Sequence, residues 1–125
     1  MRIFVGQTVG ILFAWSVFAL ATSAAMGQDA TKADSAHYKV TFENEQVRIL
    51  KITYGPKEKS VMHEHPNSIA VFLTDGQIKF ALPDGKSQEV SVKAGESQWS
   101  PAGKHLPENM GDKPFEVVLI EMKTK

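Results

Sequence analysis

The sequence predicts an all-β fold with one domain, built from short strands as a barrel or a sandwich. From Tyr38 onward, short runs rich in Val, Ile, Phe and Thr recur about every 8 to 12 residues, a spacing typical of such folds. Asp75-Gly76 and residues 83–85 (Pro-Asp-Gly) are typical of hairpin turns, because glycine tolerates positive φ and proline presets the turn. No stretch after Tyr38 keeps a helical apolar period over about ten positions. The predicted strands are residues 38–42, 47–54, 68–74, 77–82, 88–92, 97–100 and 115–122.

The composition limits the classes of function. The chain has 125 residues, of which 42% are hydrophobic, and its formal net charge is +0. A chain without blocks of like charge lacks the basic surface that binds nucleic acid or an anionic membrane. Cysteine is absent, which excludes disulfides, thiol nucleophiles and thiolate metal sites. We therefore expect a small-molecule ligand or substrate as the partner.

Residues 1–27 are predicted to be a secretory signal peptide. Arg2 precedes an uncharged stretch whose apolar centre is at residues 9–21, and a run of small residues that ends at Ala25 follows it. The alternative is a transmembrane anchor, but the centre is short against the roughly 20 residues that a spanning helix needs. We expect cleavage after Ala25 or Gly27, export to the periplasm or the medium, and no membrane attachment afterwards.

The rest of the chain divides into a leader and a domain. Residues 28–37 are polar and rich in Ala, Asp and Lys, so they are predicted to be a flexible leader that ends with a solvated His37. Residues 38–125 form the predicted β domain. Several glutamates alternate with apolar residues and are expected on the solvent face. They are Glu45, Glu58, Glu89, Glu116 and Glu121.

Three of the four histidines lie in two local clusters and are the candidate metal ligands. Residues two apart in an extended segment point to the same face, so His63 and His65 present their imidazoles together, while Glu64 points away. His105 follows after enough chain for two hairpins to return beside the start. Three imidazoles suit one divalent metal ion, either Fe, Ni, Cu or Zn. The His-x-His pair alone is also compatible with two solvated loop histidines.

The sequence around the histidine pair resembles the first motif of the cupin superfamily. That motif contains a glycine, His-x-His and a second glycine, which match Gly55, His63, His65 and Gly76. The loop between Gly55 and His63 is two residues longer than usual in the superfamily. This resemblance implies a jelly-roll β-barrel that holds a metal ion at these histidines.

The second cupin motif is also present. Its matching residues are Gly95, Pro101, Gly103, His105 and Asn109. One residue fewer than usual separates Gly103 from His105. Together the motifs imply that a single jelly-roll barrel follows the signal peptide. Segments 83–86 and 100–103 are further similar to small one-domain cupins labelled beta-alanine degradation proteins.

One position departs from the cupin pattern. The superfamily's carboxylate ligand falls four residues after the second histidine, and that residue here is Ile69. Counted from His65, Ile69 and Asn67 are expected to point inward. Because Ile69 takes the place of the carboxylate, three neutral histidines remain, and a 2+ ion bound to them is a stronger Lewis acid than one with a carboxylate ligand. For the candidate amides the alternative is a hydrogen bond to the backbone, and for Trp99 it is packing in the barrel. The candidate pocket residues are Asn67, Ile69, Gln98, Trp99 and Asn109.

Three functions remain open. The first is a metal-dependent enzyme, with iron-assisted dioxygenase chemistry on a small organic molecule as the leading class and isomerisation or decarboxylation of an oxo-acid as a variant. The resemblance supports the first class, because three-histidine iron sites also occur in cupin dioxygenases. The second is a non-catalytic module that binds a metal or a small ligand, and the third is a scaffold with an empty barrel. Exposed edge strands predict a homodimer.

Overall fold

A computed structural model describes residues 28–124, and the predicted signal peptide lies outside this range. The described chain folds as two antiparallel sheets with one short helix. No helix within it is long and apolar enough to cross a membrane. The elements in this range are α1 (Ala30–Ala33), β1 (Tyr38–Glu43), β2 (Val47–Tyr54), β3 (His63–His65), β4 (Ser68–Phe72), β5 (Gly76–Ala81), β6 (Ser87–Val92), β7 (Ser97–Ser100), β8 (Gly103–Asn109) and β9 (Phe115–Met122).

The two sheets enclose the hydrophobic core. One has the strand order β1-β2-β9-β4-β7 and the other β3-β8-β5-β6. Alternate side chains of the central strands β4 and β9 point between the sheets, as in β9, where Phe115, Val117, Leu119 and Glu121 are buried. Leu50 of β2 is 0% exposed at the centre of the core. This arrangement is a jelly roll, the fold class that the sequence predicts.

The seven predicted strands agree with the structure to within two residues at each end. Two further strands, β3 and β8, were not predicted as strands. β3 has three residues, fewer than a pattern of alternation needs. β8 contains Pro107, which cannot donate a hydrogen bond to a sheet, and its carbonyl accepts one from the N–H of Ser60 at 2.9 Å.

Residues 28–37 differ from the flexible leader that the sequence predicts. Asp29 caps the N-terminus of α1, and Ala30 is 0% exposed. The carbonyl of Gln28 accepts a hydrogen bond from the N–H of Glu64 at 3.0 Å. The segment is docked chiefly through its backbone and its aspartates, which a search for apolar periodicity does not detect.

Candidate metal centre

The three candidate histidines lie on neighbouring strands and face one another. His63 and His65 belong to β3 and His105 to β8, where His63 and His105 are direct partners in the register. One ring nitrogen from each lies within 4.8 Å of the other two. His63 is 0% exposed and His65 is 5% exposed. The structure therefore brings together the three residues that the two sequence motifs selected.

Hydrogen bonds orient two of the rings. The Nδ1–H of His63 donates to the carbonyl of Val61 at 2.8 Å, and the Nδ1–H of His65 donates to the carboxylate of Glu121 at 2.7 Å. We assign these tautomers because a carbonyl and a carboxylate only accept. Among the residues described, the Nε2 atoms of His63 and His105 are buried without a hydrogen-bond partner. Unpartnered buried nitrogens are costly, and a metal ion fits them.

Two of the three imidazoles have the charge state that a metal ligand needs. Burial, followed by the nearby His65, lowers the pKa of His63 to about 4. Burial also lowers the pKa of His105 to about 3, with smaller contributions from the other two histidines. Both rings are therefore neutral at neutral pH, and each keeps a lone pair for a metal ion. Imidazole nitrogen donors match the preferences of Fe, Ni, Cu and Zn.

A carboxylate stands behind His65. Glu121 is 1% exposed and also accepts from the Nε–H of Arg48 at 2.6 Å, so the predicted solvent-face position was wrong. It shares the inward parity of Leu119 in β9. Burial raises the pKa of Glu121, but the hydrogen bonds from His65 and Arg48 outweigh this effect and lower its pKa overall. An ionised carboxylate in this position orients the imidazole and makes it a stronger base.

Ile69 and Asn67 do not point into the site, contrary to the prediction. β3 ends at His65 in one sheet and β4 begins at Ser68 in the other, so the alternation counted from His65 is lost where the chain changes sheets. The buried residues next in β4 are Ser68 and Ala70, and Ile69 has the opposite parity. Asn67 is exposed and accepts from a backbone N–H at 2.8 Å. Among the described residues, no carboxylate joins the three histidines.

The other three candidates occupy different places. Gln98 pairs with Ala70 in the register and lines the barrel cavity. Trp99 is 56% exposed, so it does not fill the barrel, and it borders an outer cleft. Asn109 is 1% exposed, but its Nδ2 donates to two backbone carbonyls at 2.8 and 3.0 Å. Asn109 therefore holds loops together, as the alternative interpretation stated.

A cavity and a cleft meet at the histidines. The cavity has a volume of about 70 Å³, is lined mainly by apolar side chains, and reaches His65 and His105. The cleft has a volume of about 430 Å³ and is bounded by the same two histidines. Phe80 lines both and stacks on His105, with the ring centroids 5.0 Å apart. The cavity holds only a few water molecules, so a larger ligand must extend into the cleft.

Two tyrosines near the site were missed by the sequence analysis. The hydroxyls of Tyr38 and Tyr54 are hydrogen-bonded to each other, and both residues line the cavity. The ring of Tyr38 also packs edge-on against His63 at 4.7 Å. Burial raises the pKa of both tyrosines, so the hydroxyls stay protonated. No sequence signal separates these tyrosines from ordinary core residues, because cavity-lining and core side chains both occupy the inward-facing positions of a strand.

His37 was predicted to be solvated, but in the structure it connects residues 28–37 to the barrel. Its Nδ1 and Nε2 lie 2.7 Å from carboxylate oxygens of Asp34 and Glu58, respectively. The ring stacks on Tyr54 with 4.6 Å between centroids. Burial lowers the pKa of His37, but the hydrogen bonds to Glu58 and Asp34 outweigh it and raise the pKa overall. The charged form of His37 is therefore favoured.

A jelly roll with His-x-His on one strand and a third histidine on its neighbour defines a cupin-type barrel. The family model for the cupin domain matches residues 50–121, more than half of the chain, and the protein belongs to this family. It is similar to a cupin domain from Bordetella pertussis, with 28% identity and a TM-score of 0.65 over 70% of this chain and 92% of that one. The resemblance to cupins labelled beta-alanine degradation proteins stays a prediction.

More distant structures share the fold. An RmlC-like cupin with a double-stranded β-helix fold from Methanocaldococcus jannaschii has 17% identity and a TM-score of 0.56, over 68% of this chain and 77% of that one. A protein from Bacillus halodurans has 17% identity and a TM-score of 0.57, over 76% of each chain. A search of curated proteins found no match.

Proposed function

We propose that the protein binds one divalent transition-metal ion through His63, His65 and His105 and presents it to a small organic molecule. The observation that carries this proposal is the convergence of three imidazole nitrogens, two of them buried and unpartnered within the described chain. Three protein donors leave coordination positions open for a ligand. Because no described carboxylate joins the set, the ion would favour an anionic or carbonyl-bearing ligand.

The leading activity is metal-dependent dioxygenase chemistry on a small organic substrate. At such a site, iron supplies the activation of dioxygen. The surrounding residues support it by their positions: Phe80 fixes the plane of His105, and the apolar cavity wall excludes bulk water. The Tyr38 and Tyr54 hydroxyls, protonated because of burial, are hydrogen-bonding groups in the cavity wall.

The alternative is a non-catalytic module that binds a metal or a small ligand. It is favoured by the state of the titratable groups around the cavity. The three histidines are occupied as metal ligands in this proposal, and Tyr38 and Tyr54 hold their protons too tightly for acid–base catalysis near neutral pH. Turnover separates the two functions, because His105→Ala abolishes turnover in an enzyme, whereas in a binding module it lowers affinity alone.

Elemental analysis of the protein expressed from the full chain and purified without chelator tests the metal site. We expect about one ion of Fe, Ni, Cu or Zn per chain. The variant His63→Ala/His65→Ala should lose it. The matched control is Glu116→Gln on the outward face of β9, which lies outside the site and should leave the metal content unchanged. An absence of metal from the wild type, even after reconstitution, would refute the proposal.

We also propose that residues 1–27 direct export of the protein. A separate proposal is that the protein forms a homodimer. The outer face of the five-stranded sheet carries one apolar residue per strand in continuous register. Phe42 and Trp99 at the two edge strands are 52% and 56% exposed. In a monomer this apolar row would be exposed to water, and two-fold pairing of two copies would cover it. The row consists of Phe42, Ile49, Ile120, Ile69 and Trp99.

A further inference from the structure

Residues 28–34 lie along the edge of β3, the strand that carries His63 and His65. The carbonyl of Gln28 accepts from the N–H of Glu64 at 3.0 Å, and Asp29 forms a parallel bridge with Glu64. β3 is at the edge of its sheet and has β8 as its strand neighbour. The segment therefore covers the other side of the strand that holds two of the three candidate ligands.

Asp29, at the start of α1, is connected to His65 by a chain of three close contacts. Its Oδ2 lies 2.6 Å from Nη2 of Arg48, and Nε of Arg48 lies 2.6 Å from Oε1 of Glu121. The second oxygen of Glu121 then accepts from Nδ1 of His65 at 2.7 Å. The other oxygen of Asp29 accepts from the N–H and the hydroxyl of Thr31. The guanidinium is thus held from both sides, which fixes the carboxylate that faces the imidazole.

Asp34, at the end of α1, approaches the other ligand of β3. Its Oδ2 accepts from the hydroxyl of Ser60 at 2.6 Å, and from Nδ1 of His37 at 2.7 Å. Because the Ser60 hydroxyl donates to Asp34, its oxygen can only accept from Nδ1 of His63, which lies 3.4 Å away. This oxygen stands beside the Val61 carbonyl that accepts from the same Nδ1–H. The longer distance makes this connection the weaker of the two.

We propose that Asp29 and Asp34 are positioning residues of the metal centre, each fixing the imidazole of a different histidine of β3. The proposal rests on the proposed metal function and extends it to the segment before the barrel. Its physical basis is that the partners behind a metal-binding histidine fix the tautomer and the ring plane, and so set metal affinity. Asp29 acts on His65 through Arg48 and Glu121, and Asp34 acts on His63 through Ser60.

The variants Asp29→Asn and Asp34→Asn remove the charges and keep the shapes. Asparagine caps a helix about as well as aspartate, so Asp29→Asn preserves α1 while it weakens the pair with Arg48. We expect the Kd for zinc to rise about 3- to 10-fold in Asp29→Asn, less than for a direct partner of a ligand, and by a smaller factor in Asp34→Asn. Two controls accompany them: Lys32→Gly, at an exposed position of α1, loosens the segment without touching the side chains of Asp29 and Arg48, and Asp75→Asn removes an exposed aspartate that accepts from a backbone N–H elsewhere.

Two measurements on the protein expressed from the full chain decide the matter. Zinc titration gives the Kd, and imidazole nitrogen NMR of the metal-free protein reports the tautomer of each ring. Asp29→Asn should disturb the His65 ring alone, and Asp34→Asn the His63 ring alone. Unchanged rings in both variants, or equal changes at both rings, would overturn the proposal, as would a Lys32→Gly variant that matches Asp29→Asn. A wild type that binds none of Fe, Ni, Cu and Zn would refute the proposed function, and the ring spectra would still decide the positioning role.

Discussion

Replacing Glu121 with glutamine tests whether the carboxylate behind His65 sets metal affinity. Glutamine has the same shape but offers one oxygen and one NH2 group where glutamate has two oxygens. If the oxygen stays on Arg48, the NH2 group faces Nδ1 of His65, and the ring must place its proton on Nε2, where the metal binds. If the oxygen faces His65, the NH2 group opposes the guanidinium of Arg48. Either orientation weakens the site.

The expected loss follows from the burial and the contacts of this carboxylate. Removing a partner behind a metal ligand typically lowers affinity roughly 10- to 100-fold, or about 1.4 to 2.7 kcal/mol. The metal-free protein should also lose stability, because Glu121 is 1% exposed and is one of two carboxylates that pair with Arg48. A hydrogen bond to a charged group contributes about 1.5 to 3 kcal/mol, and Arg48 keeps Asp29, so we expect a loss within that range.

Calorimetric titration of the metal-free protein with zinc measures the affinity, and thermal unfolding in the presence of a chelator measures stability separately. The matched control is Glu116→Gln on the outward face of the same strand, where the glutamate lies 3.8 Å from Lys51. It should change neither quantity appreciably. A Glu121→Gln variant that loses stability but binds zinc as tightly as the wild type would refute the reasoning, because the carboxylate would then serve the fold alone.

Three further predictions concern the fold and the assembly. The pKa of His37 is raised above 6.5 by its two carboxylate partners despite burial, so the stability it provides is complete below about pH 6.5 and is lost as the pH rises through the raised pKa. His37→Gln should therefore lower the Tm more at about pH 6 than at about pH 9, and equal losses would contradict this assignment. A Cβ at Gly76 would lie 2.4 Å from the buried ring of Phe115, so Gly76→Ala should cost about 1 to 3 kcal/mol in denaturant unfolding, and an unchanged midpoint would be the contrary result. Phe42→Ser/Trp99→Ser should convert the proposed dimer to a monomer in light scattering, whereas an unchanged mass would exclude this face.

Parity arguments succeeded within single strands and failed between them. His63 and His65 share a face because they belong to one continuous strand. The same count carried on to Ile69 gave the wrong face, because the chain passes from one sheet to the other between His65 and Ser68. The sequence contains no local signal for that crossing beyond Pro66 and Asn67. The direction of the side chains that follow the crossing therefore depends on tertiary structure.

Buried charges were the second source of error. Glutamate is almost always exposed, so Glu121 was assigned to solvent although its parity in β9 matches that of Leu119. Its burial depends on Arg48 and His65, which come from β2 and β3 and are distant in sequence. The docking of residues 28–37 was missed for the same reason, because the partners of its aspartates come together only in the folded barrel. Pairwise charge partners across a sheet are not readable from one sequence.

The charges around the candidate centre would balance a divalent ion held by the three histidines, which no described carboxylate joins. Asp29, Arg48 and Glu121 form a cluster of two carboxylates and one cation behind His65, with a net charge of −1. His37 and its two carboxylate partners form a second cluster of the same net charge when the histidine is protonated. Together they would balance a 2+ ion at a distance, while its coordination shell stays neutral and open. An ion held there would keep its affinity for an anionic ligand, since the compensating charge would lie behind the imidazoles and not on the metal.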